Sequence, residues 1–87
     1  MDTVRSLFYV IRRFPNHKQS IYRLFKRNED FKSLCEDHRL CYETVERWKQ
    51  SESEKAPALR KEYENLLQEL EQEITQILND LQKVKSP

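Results

Sequence analysis

Cys35, His38 and Cys41 follow one another at three-residue intervals, as C-x-x-H-x-x-C. Thiolate and imidazole are the ligands that zinc takes, and zinc wants four of them in a tetrahedron. On a helix Cys35 and His38 can share one metal, and so can His38 and Cys41. All three together span too wide an arc. The only other histidine, His17, falls on a separate segment. The triplet is therefore read as part of a core helix, with cysteine as a small apolar filler and His38 hydrogen-bonding across to a facing helix. No metal and no cofactor are expected.

His38 also has Glu36, Asp37 and Glu43 near it in sequence, the ingredients of an acid–base pair. The rest of a catalytic site is missing. No nucleophile elbow and no paired-carboxylate cleft can be traced, and a chain of 87 residues leaves little room for a pocket. There is no glycine, so phosphate-cradling loops and tight hairpin turns lack their usual source of positive backbone torsions. No catalytic residues are assigned, and the expectation is a protein that is not an enzyme.

The elements that would carry these side chains are helices. Charged residues make up 36% and apolar ones 37% of the chain, a balance typical of long exposed helices. Tyr63, Leu67, Leu70, Ile74, Ile77, Leu81 and Val84 are spaced four, three, four, three, four and three apart. That is a heptad seam, which a helix must lay against another helix. Leu59, Leu66 and Leu78 flank it, and Glu62, Glu64, Glu69, Glu71, Glu73 and Asp80 are assigned to the outer surface. A second seam runs through Phe31, Leu34, His38, Cys41, Val45 and Trp48.

These patterns predict one all-α domain over residues 1–87. A short basic amphipathic helix spans 3–13, with Val4, Leu7, Phe8 and Ile11 on its inner face. Pro15 opens a helix over 15–27. Asn28 caps a third helix over 29–49, with Glu29 and Asp30 suiting the positive end of its dipole. Residues 50–57 form a polar linker, and a long helix covers 58–84. The two seams predict a long antiparallel helical hairpin, coiled-coil-like in its packing.

The last helix outruns its partner. Phe31 falls near Ile74 to Ile77, so the tail of Ile77, Leu78, Leu81 and Val84 extends past Asn28, and exposing large aliphatics forfeits about 1.5–3 kcal/mol each. With Ile74 they are the candidate helix–helix or dimer interface, to be covered by the 15–27 helix or by a second chain.

Charge is divided along the chain. Residues 1–28 carry seven bases (Arg5, Arg12, Arg13, Lys18, Arg23, Lys26 and Arg27) against the single acid Asp2. Residues 29–87 carry nine bases against fourteen acids. The seven bases form a candidate partner surface, for an acidic protein, a second copy, nucleic acid or an anionic lipid surface. Near-neutral net charge, +1, favours protein partners over nucleic acid.

Cys35 and Cys41 lie about 240° apart around a helix and about 9 Å apart along it, beyond disulfide reach. Reduced thiols, the absence of a secretory signal and the shortness of the apolar run from Leu7 to Ile11 predict a cytoplasmic protein without a transmembrane segment.

The stretch Phe14 to Val45 resembles the YdcH-like family of small bacterial proteins of unknown function. The matching residues are Phe14-Pro15, Ile21, Leu24, Asn28, Phe31, Ser33-Leu34, His38 and Val45, including F-x-x-L-x-x-x-H over residues 31–38. Leu70, Glu73 and Ile74 match more loosely, so the likeness covers residues 14 to about 81. It implies a long helical hairpin and no defined activity. Residues 1–13 stand outside it. Glu64 and Glu71 stand where that family carries lysines, so no role that needs a basic last helix carries over. The reading is a small interaction module, self-associating as a dimer through its last helix and binding another protein, with nucleic acid or an anionic surface as the alternative partner.

Overall fold

The computed structural model describes residues 2–85, and the side chains of residues 4–81. The fold is all-α. Its elements are α1 (Asp2–Arg13), a single 3₁₀ turn (Pro15–His17), α2 (Lys18–Arg27), α3 (Glu29–Lys49) and α4 (Ala56–Lys85). No strand occurs among the described residues.

Local chemistry sets the breaks. Phe14 adopts φ −126°, ψ 65° ahead of Pro15, out of the helical region as the proline ring demands. Its amide still donates to the Val10 carbonyl at 2.9 Å, closing α1. The expected 15–27 helix therefore begins as a 3₁₀ turn and becomes α-helical at Lys18. At Asn28 the backbone is extended, and its side-chain oxygen accepts from the Phe31 amide at 3.0 Å. That is an N-cap, followed by Glu29 and Asp30 in the first turn and matched by Arg47 and Lys49 in the last.

The linker is shorter than 50–57. Ser53 accepts a bond from the Ala56 amide through its carbonyl, at 3.0 Å, and one from the Lys55 amide through its hydroxyl, at 3.3 Å. α4 thus begins at Ala56, and Pro57 sits in its first turn, where a missing N–H costs nothing.

α3 is the central element. It packs most extensively on α4, then on α1, then on α2. The α3–α4 contacts run in opposite directions along the two helices: Cys41 Sγ donates to the Tyr63 carbonyl at 3.2 Å, while His38, earlier in α3, meets Glu71, later in α4, at 3.1 Å. A 30-residue helix measures about 45 Å, and it sets the longest dimension of the molecule, 53 × 27 × 20 Å. The radius of gyration, 14.5 Å, exceeds the roughly 12 Å of a compact chain this size.

One core joins all four helices. Leu7 and Val10 of α1, Ile21 and Phe25 of α2, Phe31, Leu34 and Cys35 of α3, and Ile74 and Leu78 of α4 close on one another. Two details differ from the periodicity. In α4 the buried pair is Ile74 and Leu78, while Ile77 is only half-buried. Beyond Asn28 the neighbour is no longer α3 alone, and the inward face turns toward Val10, Ile21 and Phe25. In α1, Ser6, Leu7 and Val10 are buried, while Val4 and Phe8 are exposed. The expected inner face of α1 is therefore rotated by about one residue, for a reason found in α3.

Candidate functional site

Arg39 is that reason. It is a buried cation on α3, 6% exposed, with partners on two helices. Its Nε donates to Ser6 Oγ of α1 at 2.9 Å, and its terminal amino group meets Glu43 one turn on at 2.7 Å. The Tyr9 hydroxyl donates to the other Glu43 oxygen at 3.1 Å, and Arg5 approaches that carboxylate at 3.8 Å. A buried guanidinium must be paired and hydrogen-bonded, so α1 turns Ser6 and Tyr9 toward α3 and leaves Val4 and Phe8 outside. Burial, then the hydrogen bond to Glu43, pushes the Tyr9 phenol above its ordinary value.

A second polar cluster lies where α1, α3 and α4 meet. His38 Nε2 lies 3.1 Å from Glu71 Oε2, and Arg13 Nε lies 3.1 Å from the same oxygen. The His38 side chain is 2% exposed, and its Nδ1 is buried without a hydrogen-bond partner among the described residues. Tyr9, Arg12, Arg13, His38, Tyr42 and Glu71 line a cleft of about 160 Å³. Tyr9 and Tyr42 of its lining meet edge to face, with ring centroids 5.4 Å apart. Periodicity puts Glu71 on the outer surface of α4. It is instead the shared anion of an inward cluster, because Arg13 reaches it from a helix whose position α4 alone does not reveal.

The cleft brings an imidazole and a carboxylate together but no reactive nucleophile. Burial, with Glu36 adding to it, pushes the Cys35 thiol up to about 12. Burial, and then Glu71, raises Cys41 as well. Thiols held this way stay protonated and inert. Both cysteines are free. No group of three or more His, Cys, Asp or Glu side chains among the described residues is placed to hold a metal ion.

The candidate interface residues of the last helix lie largely inside the chain. Ile74 and Leu78 are in the common core, Ile77 packs against it, and Leu81 is half-buried beside Ser20, Arg23, Leu24 and Arg27 of α2. The chain's own front helices supply this cover, so Ile74 and Leu78 are not open to a second copy. The side chain of Val84 lies outside the described residues.

Of the seven candidate partner-surface bases, Arg5 and Arg13 face Glu43 and Glu71. Arg12, Lys18, Arg23, Lys26 and Arg27 are exposed and enter no ion pair among the described residues. Lys26 lies over the Tyr22 ring at 4.7 Å.

On the opposite flank of α3 from α1, a shallow groove of about 260 Å³ runs between α3 and α4. Asp37, Leu40, Cys41, Thr44, Tyr63, Leu66 and Leu70 line it. Leu40 is 53% and Leu66 43% exposed. Leu66 flanks the heptad seam of α4, and Leu40 lies off any seam, where an isolated leucine carries no signal in the sequence.

No helix among the described residues is long and apolar enough to cross a membrane. No protein-family model, curated protein or solved structure matches this chain, and the likeness of residues 14–81 to the YdcH-like family gains no support from them.

Proposed function

We propose that this chain is a small non-enzymatic interaction module of the bacterial cytoplasm, a coiled-coil-like helical hairpin of α3 and α4 stiffened by α1 and α2. It self-associates and binds another protein. The observation that carries this reading is the open groove between α3 and α4. The chain closes Ile74, Leu78 and Val10 into its core and yet leaves Leu40 and Leu66 about half exposed on one face. The buried polar groups support it too. His38 with Glu71, Arg39 with Ser6 and Tyr9 with Glu43 each tie one helix to another. Such ties hold a surface in shape. Association through the last helix then uses its Leu66 half rather than its Ile74–Leu81 half.

The test is affinity capture with the intact chain and with Leu66→Asp. A protein retained by the first and lost by the second is the expected result. Capture by neither, or equally by both, defeats the reading.

A second reading rests on α2. Its Lys18, Arg23, Lys26 and Arg27 are exposed and enter no ion pair among the described residues, with Tyr22 exposed between them. A basic face with an aromatic suits nucleic acid or an anionic surface. Fluorescence polarisation with labelled single-stranded and duplex DNA at low salt tests it. Binding that falls with salt and is lost in Arg23→Glu/Lys26→Glu supports this alternative, and no binding removes it.

A further inference from the structure

Two apolar patches remain on the surface, and their charges are opposite. The first is on α1. Val4 and Phe8, 54% and 57% exposed, lie one turn apart. Arg12 continues their line a further turn on, and Arg5 lies beside it. The second is the α3–α4 groove with Leu40 and Leu66. Asp37 stands at its wall. Glu62, Glu69 and Glu73 share the α4 strip of Leu66, at spacings of four, three and four. All four acids lack an ion pair among the described residues, although six other acids have one or more hydrogen-bond or ion-pair partners there.

The patches cannot meet within one chain. α1 is held on the side of α3 that carries Cys35, Arg39 and Glu43, and the groove opens on the side that carries Asp37, Leu40 and Thr44. The body of α3 stands between them. Each chain thus carries a basic apolar knob and an acidic apolar groove, matched in both hydrophobicity and charge and barred from each other.

We propose that the groove is occupied by α1 of a second copy of this chain, with Phe8 entering between Leu40 and Leu66 and Arg12 facing the acids of the rim. The inference rests on the interaction-module reading and names its partner. Knob and groove are different surfaces, so the contact is heterologous, and repetition gives a ring or an open chain unless two copies engage reciprocally. Opposite charges make it sensitive to salt, since exposed charges are screened beyond about 10 Å at 0.1 M ionic strength.

The experiment uses sedimentation of the full chain over a range of concentrations at low and high salt, with Phe8→Asp and Leu66→Asp. Both positions are exposed enough for the fold to survive, which circular dichroism and thermal melting verify. The wild type is expected to gain mass with concentration and lose it with salt. Each variant alone is expected to associate at least about tenfold more weakly, a loss of about 1.4 kcal/mol. The decisive sample is the equimolar mixture. Phe8→Asp keeps only a working groove and Leu66→Asp only a working knob, so together they should form a one-to-one pair and nothing larger. A monomeric wild type, a variant that associates as before, or a mixture no heavier than its parts overturns the inference. A basic amphipathic peptide that binds the groove of a monomeric wild type overturns it as well, in favour of a foreign helix. The binding of another protein is tested separately, and that part of the module reading falls when the Leu66-dependent capture fails, whatever the oligomeric state.

Discussion

His38 Nε2 and Glu71 Oε2 lie 3.1 Å apart, joining α3 to α4 at a point where Arg13 of α1 takes the same oxygen. Three helices thus converge on one carboxylate, and the imbalance is on the histidine, whose Nδ1 has no partner among the described residues. Glu71→Ala should leave the ring with neither nitrogen bonded to α4 and cost about 1–3 kcal/mol. Glu71→Gln keeps an acceptor and surrenders the ion pair with half-exposed Arg13, so it should cost under about 1 kcal/mol. Urea unfolding of both variants at one pH checks the ordering, and equal losses would show that charge rather than the hydrogen bond holds the cluster.

The orientation of α1 should depend on Arg39. Ser6→Ala leaves a buried guanidinium N–H without its acceptor and should destabilise by about 1–3 kcal/mol, a large effect for so small a change. Hydrogen exchange locates the damage: α1 amides should lose protection while those of α3 keep theirs. Unchanged protection in α1 would mean that apolar contacts alone dock this helix.

Val10 and Phe8 make a paired test of which face of α1 is inward. Val10 is fully buried and Phe8 is 57% exposed. Val10→Ala should cost about 2 kcal/mol, from two lost methyl groups and the cavity they leave. Phe8→Ala, though a far larger truncation, should stay within about 0.5 kcal/mol. Thermal melts at a concentration low enough to suppress association decide it, and the reverse order would restore the face suggested by periodicity.

Stability should fall in alkali through Cys35. Its thiol is raised from 9.0 to about 12 in the folded chain by burial, with Glu36 contributing. Above pH 9 the unfolded chain loses this proton while the folded chain keeps it, so the equilibrium shifts toward unfolding. The contribution is complete below pH 9 and is lost as pH rises toward 12, at no more than about 1.4 kcal/mol per pH unit. Denaturant midpoints measured across that window should decline more steeply for the wild type than for Cys35→Ala. A thiol reagent at pH 8 should label the unfolded chain at least about a hundredfold faster than the native one.

Much of this architecture is legible in the residues themselves. Asn28 with Glu29 and Asp30 announces the start of α3, and Phe14-Pro15 announces the break before α2, because capping and proline geometry act within a few residues. Strings of apolar side chains at three and four name α3 and α4. Their inward residues Phe31, Leu34, Cys41, Val45 and Ile74 follow from spacing alone. The free state of Cys35 and Cys41 follows from the rise and turn of a helix.

What the sequence by itself determined, then, is a set of helices, the breaks at Pro15 and Asn28, and the inner stripe of α3. Only the tertiary structure decided which side of α1 turns inward and that Glu71 belongs to the interior. It also decided that Ile74 and Leu78 of α4 close on α1 and α2 of the same chain. The physical reason is range. Caps and periodicity are settled between neighbours in sequence. A buried cation such as Arg39 takes one of its partners, Ser6, 33 positions away, and a carboxylate such as Glu71 is shared by helices whose packing no single stripe encodes.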